Sequence, residues 1–425
     1  MDQAFDFGNA NEEQRRAITT TEGPVLITAG PGTGKTFTLV KRVAYLILKK
    51  HVKPSTILVA TFTEKAAKEL VTRISSELED HGVNFDAEEM YVGTFHSICL
   101  RLIKEHVEFS QVRRNYRVAD SFDQQHLVYQ NLWNRFKKLP HFADFPLQRT
   151  RAWDTCEKIC TVSYVAAEEL LDVDTMIASA DPGDVACGEV IEEYNDILAK
   201  YNWLDFARIQ LEALRLLEFH PEVLTEMTGQ IRYVMIDEYQ DTNFIQERLT
   251  LILGGGSGNV CVVGDDDQAL YRFRSATVRN ILEFPGHFDS CTRIDLTSNY
   301  RSDPGIVAFY NEWMKRTAGP PGPVLRFCAQ PVETHLSMPA IDAACDKNDC
   351  RRCHDEPAQG DERRGGLQDD EAHARGIEAE RRSGDGEEGA DERELGAIVG
   401  QVVAQDHVVV VVGIQVLHGW PSHGH

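Results

Sequence analysis

No apolar run in this 425-residue chain reaches the ~20 residues that a membrane-spanning helix needs. The strongest candidate, Val408 to Val412, is short and lies among His and Asp. The N-terminus, Met-Asp-Gln-Ala-Phe-Asp-Phe-Gly, has neither the basic start nor the apolar stretch of a secretory signal. Basic residues are scarce: 44 Lys plus Arg stand against 67 Asp plus Glu, for a net charge of −23. A whole-molecule field of that sign repels phosphate, which excludes a protein that coats nucleic acid by global charge. The ten cysteines are irregularly spaced and read as reduced thiols. A cytoplasmic protein is the expectation, and no fixed-period repeat is visible.

The charge is uneven. Residues 331–425 hold 20 acidic and 9 basic side chains, no Phe, no Tyr and one Trp, Trp420. Such a segment cannot bury enough apolar surface to offset its chain entropy, so it is expected to be disordered, or to be translated out of frame. Within it, Val402 to Val416 has the composition of a strand. Cys350-Arg-Arg-Cys353-His354, with Cys345, has the spacing of a haem attachment or a zinc knuckle, but chance occurrence is the better reading without core-forming neighbours.

What is present is an α/β pattern. Pro24 to Ala29 is a short β-branched apolar run ending in a Gly-rich turn, and Leu39, Val40, Val43, Ala44, Leu46 and Ile47 follow at helical spacing. Ile57 to Thr61 predicts a second strand before a helix over 64–78. Tyr233 to Ile236 and Val260 to Val263 are further strands that end in Asp-Glu and Gly-Asp. Strands alternating with helices, with polar residues at their C-terminal ends, predict a parallel sheet. Residues 106–205 have few strand signals and predict a helical insertion.

Residues 29–36 read Ala29-Gly30-Pro31-Gly32-Thr33-Gly34-Lys35-Thr36, between a strand and a helix. That context is what a P-loop requires, because backbone N–H groups and a helix N-terminus then face phosphate oxygens. Lys35 would reach the β/γ-phosphates and Thr36 would ligate Mg²⁺. The strict pattern has Gly where Ala29 stands. Asp237, at the end of an apolar strand, is placed to hold Mg²⁺, and Glu238 to orient or deprotonate water. An Asp-Glu pair alone is as often a solvated turn. Together with the P-loop it implies NTP hydrolysis rather than binding alone.

The run Asp237-Glu-Tyr-Gln-Asp-Thr-Asn243, with Gln246 after it, resembles the extended acidic motif of superfamily 1 DNA helicases of the UvrD/Rep/PcrA type. Asn11-Glu-Glu-Gln14 resembles their adenine-reading motif. Thr61-Phe-Thr-Glu-Lys-Ala-Ala-Lys-Glu-Leu70 and Gly93-Thr-Phe-His96 resemble two motifs that touch single-stranded DNA. Val263 to Arg274 resembles the motif that couples ATP to DNA, and Leu296 to Ser302 the start of a second motor domain. The resemblance implies a RecA-like P-loop NTPase fold in two segments, 1–105 and 206–285, around an insertion at 106–205. The start of a second RecA-like domain at 286–330 and the tail at 331–425 follow.

Roles carried by the resemblance are these. Gln14 reads adenine, Tyr300 stacks on it, and Arg301 compensates charge on the γ-phosphate. Gln268 senses that phosphate, and Tyr271 and Phe273 meet bases. Phe62, Thr94, Phe95 and His96 are DNA contacts. For Phe62 and Phe95 core packing is the alternative, and for His96 a structural role. Lys65 and Lys68 are phosphate contacts or a solvated helix face, Arg274 a bridge to Glu238 or a surface ion pair, and Asp205-Phe206 a minor motif. The implied partners are single-stranded DNA and other repair proteins.

The resemblance fades after Ser302 and is gone by about residue 327, and the later motifs have no counterpart in 331–425. A chain of this kind is expected to bind ATP·Mg²⁺ weakly and not to unwind DNA by itself. The competing reading is a nucleotide-gated DNA-binding or regulatory module. A metabolic P-loop kinase is opposed by the run 237–243, which phosphotransfer to a small molecule does not need.

Overall fold

The computed structural model describes residues 5–83, 86–265, 278–317 and 333–334. The expected tail, the cysteine cluster and the 402–416 run lie outside the described residues, as do Gln268, Tyr271, Phe273 and Arg274.

The elements run α1 (Glu12–Thr19), β1 (Val25–Ala29), α2 (Lys35–Leu48), β2 (Ile57–Thr61), α3 (Glu64–Glu79), β3 (Tyr91–Thr94) and α4 (Phe95–Glu105). Next come β4 (Arg117–Val118), α5 (Ser121–Asn131), α6 (Ala152–Glu168), α7 (Val173–Ile177), α8 (Pro182–Tyr201) and β5 (Trp203–Leu204). The chain returns through α9 (Phe206–Phe219), α10 (Pro221–Gln230), β6 (Tyr233–Ile236), α11 (Phe244–Gly255) and β7 (Val260–Gly264). It continues with α12 (Val278–Glu283), β8 (Thr292–Leu296), β9 (Ser298–Asn299) and α13 (Pro304–Thr317).

Six strands form one parallel sheet in the order β3-β2-β6-β7-β1-β8. Its central strands are apolar without alternation because both faces are covered, as parallel sheets with crossover helices require. One face packs Leu26, Leu58 and Val234 against α4, α9 and α11, and the other packs Ile27, Val59 and Met235 against α2 and α3. Each fully buried Leu, Ile or Val contributes about 1.5–3 kcal/mol, so the strand C-termini rest on a rigid base.

Residues 292–296, which the sequence reading assigns to the start of a second motor domain, are an edge strand of this sheet. β8 pairs in parallel with β1 along its whole length, from Val25 opposite Thr292 to Ala29 opposite Leu296. The segment after Asn299 is thereby delivered to the P-loop.

The region 106–205 is mostly helical, as its composition predicts. A short pairing closes it at the base, with Arg117 opposite Trp203 and Val118 opposite Leu204. Asp205, just beyond, is fully buried and caps α9, its carboxylate accepting from the Arg208 N–H at 2.7 Å and from the Tyr194 hydroxyl at 2.8 Å. Among the described residues no helix is long and apolar enough to cross a membrane.

Candidate nucleotide and DNA site

β1 ends at Ala29, whose methyl group lies in the core beside Leu296. A side chain is tolerated there because the residue is still part of the strand, so the departure from the strict P-loop pattern costs nothing in geometry. The loop then turns through Gly32 at φ +77° and Gly34 at φ +86°, conformations that favour glycine. Gly34 is the N-cap of α2 and supplies no side-chain cap. The first N–H groups of α2 therefore have no intrahelical acceptor and suit a phosphate. Thr36 stands in that first turn, half-buried.

Asp237 follows β6, with its N–H bonded to the Ala60 carbonyl at 2.8 Å. Glu238 adopts a left-handed conformation at φ 52°, unusual for a side-chain-bearing residue and characteristic of functional turns. The turn aims its carboxylate across the cleft at Lys35, whose Nζ is 2.9 Å from Oε2. Gln240 Nε2 donates to the same oxygen at 2.9 Å, while Gln240 Oε1 accepts the Asp265 N–H at 3.0 Å. Lys35 can thus serve a carboxylate or a phosphate from one position. Burial, and then the charge of Glu238, push the Asp237 carboxyl up to about 6, with Lys35 opposing. Asp241 is raised to about 6 by the same causes, and its Oδ1 is buried without a hydrogen-bond partner. Buried, electron-rich oxygens beside a Lys and a helix N-terminus fit a divalent cation carried in with a phosphate. Thr36 and Asp237 are the residues that would hold it.

Two further segments close over the loop, the start of α1 and residues 297–302. Gln14 belongs to a reciprocal cap of α1: its Oε1 accepts the Asn11 N–H at 3.1 Å, and Asn11 Oδ1 accepts the Gln14 N–H at 2.8 Å. Gln14 Nε2 also donates to the Thr33 carbonyl at 2.9 Å. These bonds use one of the two amide protons and one of the two carbonyl lone pairs of Gln14. The Tyr300 N–H donates to the Gly32 carbonyl at 2.8 Å, and its hydroxyl accepts from Asn11 Nδ2 at 2.9 Å. Asn299, inside the Leu296–Ser302 run, clamps both sides. Its Nδ2 donates to the Pro31 carbonyl at 2.8 Å, and its Oδ1 accepts the N–H groups of Arg301 at 2.8 Å and Ser302 at 2.9 Å. Glu13 accepts from the Thr297 N–H at 3.0 Å and hydroxyl at 2.9 Å, tying α1 to the same segment. Gln14, Lys35, Thr36, Asp237, Glu238, Tyr300 and Arg301 are thus gathered around residues 29–36.

A methyl group at Gly32 would lie 2.7 Å from both Arg301 Cβ and Asn299 Oδ1. Gly32→Ala is therefore expected to lose about 1–2 kcal/mol of stability from the backbone alone and to push residues 299–301 off the loop. Urea denaturation and nucleotide titration check the two effects.

The four described DNA candidates differ. Thr94 is buried and caps α4, its Oγ1 accepting the Ser97 N–H at 3.2 Å. Phe95 is a core residue: its ring sits with Leu58, Tyr91 and Ile98, because the first turn of α4 points it into the sheet. Of the two uses expected for Phe95, its burial favours core packing over base stacking. Phe62, after β2, and His96, in the first turn of α4, are half-buried at the strand C-termini. Lys65 and Lys68 are exposed on α3.

Comparison with known proteins gives the family. Residues 10–289 match the UvrD/REP helicase N-terminal domain. The chain is 34% identical over 310 residues to ATP-dependent DNA helicase PcrA of Staphylococcus epidermidis, covering 73% of this chain and 40% of the relative. It is 33% identical over 312 residues to PcrA of Staphylococcus aureus, with the same coverage. The chain thus spans about 40% of the length of these curated relatives. A P-loop on a six-stranded parallel sheet, an acidic turn that faces its lysine, and a sequence match over residues 10–289 agree: the chain belongs to the UvrD/REP helicase family.

Proposed function

We propose that the chain carries the nucleotide-binding and DNA-contacting part of a cytoplasmic ATP-dependent 3′→5′ DNA helicase. It would act on single-stranded DNA, coupling ATP hydrolysis to strand separation in DNA repair or recombination with other repair proteins. The observation that carries this reading is the meeting of Lys35 and Glu238 at 2.9 Å under the segment bearing Tyr300 and Arg301.

Bound Mg²⁺ would neutralise phosphate charge, as in other P-loop enzymes. The chain supplies the rest. The N-terminus of α2 and Lys35 bind phosphate oxygens, Thr36 and Asp237 orient the cation, and Gln14 with Tyr300 hold the base. Glu238, fixed by Gln240, is placed to take a proton from water. Arg301 stands over Gly32, from where a guanidinium can reach a terminal phosphate. Gln268 is assigned the γ-phosphate sensor role on its motif alone. Phe62, Thr94 and His96, with Tyr271 and Phe273, form the DNA side of the proposal. The polarity, the single-stranded substrate and the repair role rest on the motif resemblance.

Single-turnover ATP hydrolysis, with and without single-stranded DNA, tests this reading. The expected result is turnover that rises with DNA. Nucleotide binding with turnover indifferent to DNA would favour a nucleotide-gated binding module instead.

A further inference from the structure

His96, in the first turn of α4, has a neighbour outside the motif runs named above. Its Nε2 lies 3.0 Å from Nε2 of Gln210, a fully buried residue in the second turn of α9, and its ring meets Phe206 edge-on at 5.4 Å. Two nitrogens at that distance need one donor and one acceptor, and the surrounding bonds decide which is which.

The order starts at Asn243 in the acidic run. Asn243 Nδ2 donates to Glu168 Oε1 at 2.7 Å, so its Oδ1 is the atom that accepts the Gln246 N–H at 3.0 Å. Gln246 Oε1 returns the bond by accepting the Asn243 N–H at 3.4 Å. The amide group of Gln246 is the other end of that side chain, and it donates to Gln210 Oε1 at 2.8 Å. Gln210 must then present its own Nε2–H to His96. A protonated Nε2 on the imidazole would set two N–H groups against each other, so Nε2 is the acceptor.

We propose that Gln210 is a positioning residue that holds His96 neutral, with its single proton on Nδ1, so that His96 offers DNA a hydrogen-bond donor rather than a positive charge. The acceptor on DNA is a phosphate oxygen, which takes a neutral N–H well. This deepens the reading that His96 meets DNA and rests on it. It also makes the acidic run continuous with the DNA side: the segment that begins at the metal-orienting Asp237 ends at Gln246, two hydrogen bonds from His96.

The electrostatic surroundings agree. Burial lowers the His96 pKa below its ordinary value, with Glu64 on α3 opposing. The α9 groups against the ring, Phe206 and Gln210, carry no charge, and neither does Gln246 behind them. Glu64 favours the charged form, and the Gln210 N–H disfavours it.

The test is ¹⁵N NMR of the histidine-labelled full chain at neutral pH, with His96→Ala to assign the signal. The expected result is a neutral His96 with Nδ1 protonated. Gln210→Leu should remove that preference. Gln210→Glu keeps an acceptor for Gln246 and should place a proton on His96 Nε2, so one of the two variants remains informative if the other misfolds. A wild-type His96 that is charged or protonated at Nε2, or unchanged in both variants, overturns the proposal.

Fluorescence anisotropy with labelled oligodeoxythymidylate separates this from the parent reading. His96→Ala should weaken binding about five- to tenfold with an unchanged salt slope, as expected for a lost neutral hydrogen bond. A steeper salt slope for wild type than for His96→Ala overturns the neutral-donor proposal. Unchanged affinity in His96→Ala overturns only the DNA role of His96, and the NMR result still decides the tautomer.

Discussion

Lys35→Ala is expected to reduce ATP hydrolysis by at least about a hundredfold and to weaken nucleotide binding, measured by turnover and by titration with a labelled nucleotide. The reason is the convergence of three features on one ammonium group. Lys35 is the first residue of α2, so it stands where the helix N-terminus attracts phosphate. It reaches Glu238 at 2.9 Å, and it is the charge that opposes the raised pKa values of Asp237 and Asp241. Its removal leaves three carboxylates facing one another, with Gln240 the described donor to Glu238 Oε2. The Asp237 carboxyl should then move further upward, which disfavours the ionised form that a cation needs. The fold itself should survive, because the sheet core lies beneath the loop.

Asp237→Asn should act in opposite directions on function and stability. The buried Asp237 carboxyl has its pKa raised from 3.8 to about 6. Keeping it ionised at neutral pH therefore costs about 2–3 kcal/mol of folding free energy. A raised folded pKa means that the proton-linked stability is fully present below the unfolded value of 3.8 and is lost as pH rises through about 6. The variant should thus be more stable than the parent at neutral pH by about that amount, with the difference vanishing toward pH 4. Urea midpoints at the two pH values check it. Magnesium-dependent hydrolysis should disappear in the same variant, since a neutral amide lacks the negative charge with which a carboxylate holds Mg²⁺. Equal stability at both pH values would contradict the burial argument.

Much of this site was legible in the sequence because its chemistry is local. The turn 29–36 carries its glycines, lysine and threonine in one uninterrupted stretch, and Asp237-Glu238 directly follows an apolar strand. Both occupy the expected places, at the ends of β1 and β6. What escaped was non-local. Nothing in Thr292–Leu296 says which sheet it joins, because its alternating Thr-Arg-Ile-Asp-Leu pattern fits a half-exposed edge strand of any sheet. Its pairing with β1 is a tertiary fact. Phe95 lies in a stretch that resembles a DNA motif, but the first turn of α4 directs it inward. Asn299 lies within the run 296–302, but its partner Pro31 is 268 residues away along the chain, so the clamp it forms is a tertiary fact. Gln210 has still less local signal, since a glutamine in a helix is usually solvated. Its partners are 114 and 36 residues away along the chain.

The low count of basic residues is compatible with this architecture. Nearly half of the net −23 falls in 331–425, outside the residues matched to the family. DNA recognition in the account needs a few groups at the strand C-termini rather than a favourable total.

The central claim is that the nucleotide loop and the DNA side of the sheet act as one device. Binding of single-stranded oligodeoxythymidylate, measured by anisotropy with and without magnesium and a non-hydrolysable ATP analogue, tests it most directly. The analogue is expected to change DNA affinity in the parent chain and not in Lys35→Ala, and DNA to change analogue affinity by the same factor. DNA affinity that is indifferent to the analogue in the parent chain would contradict it.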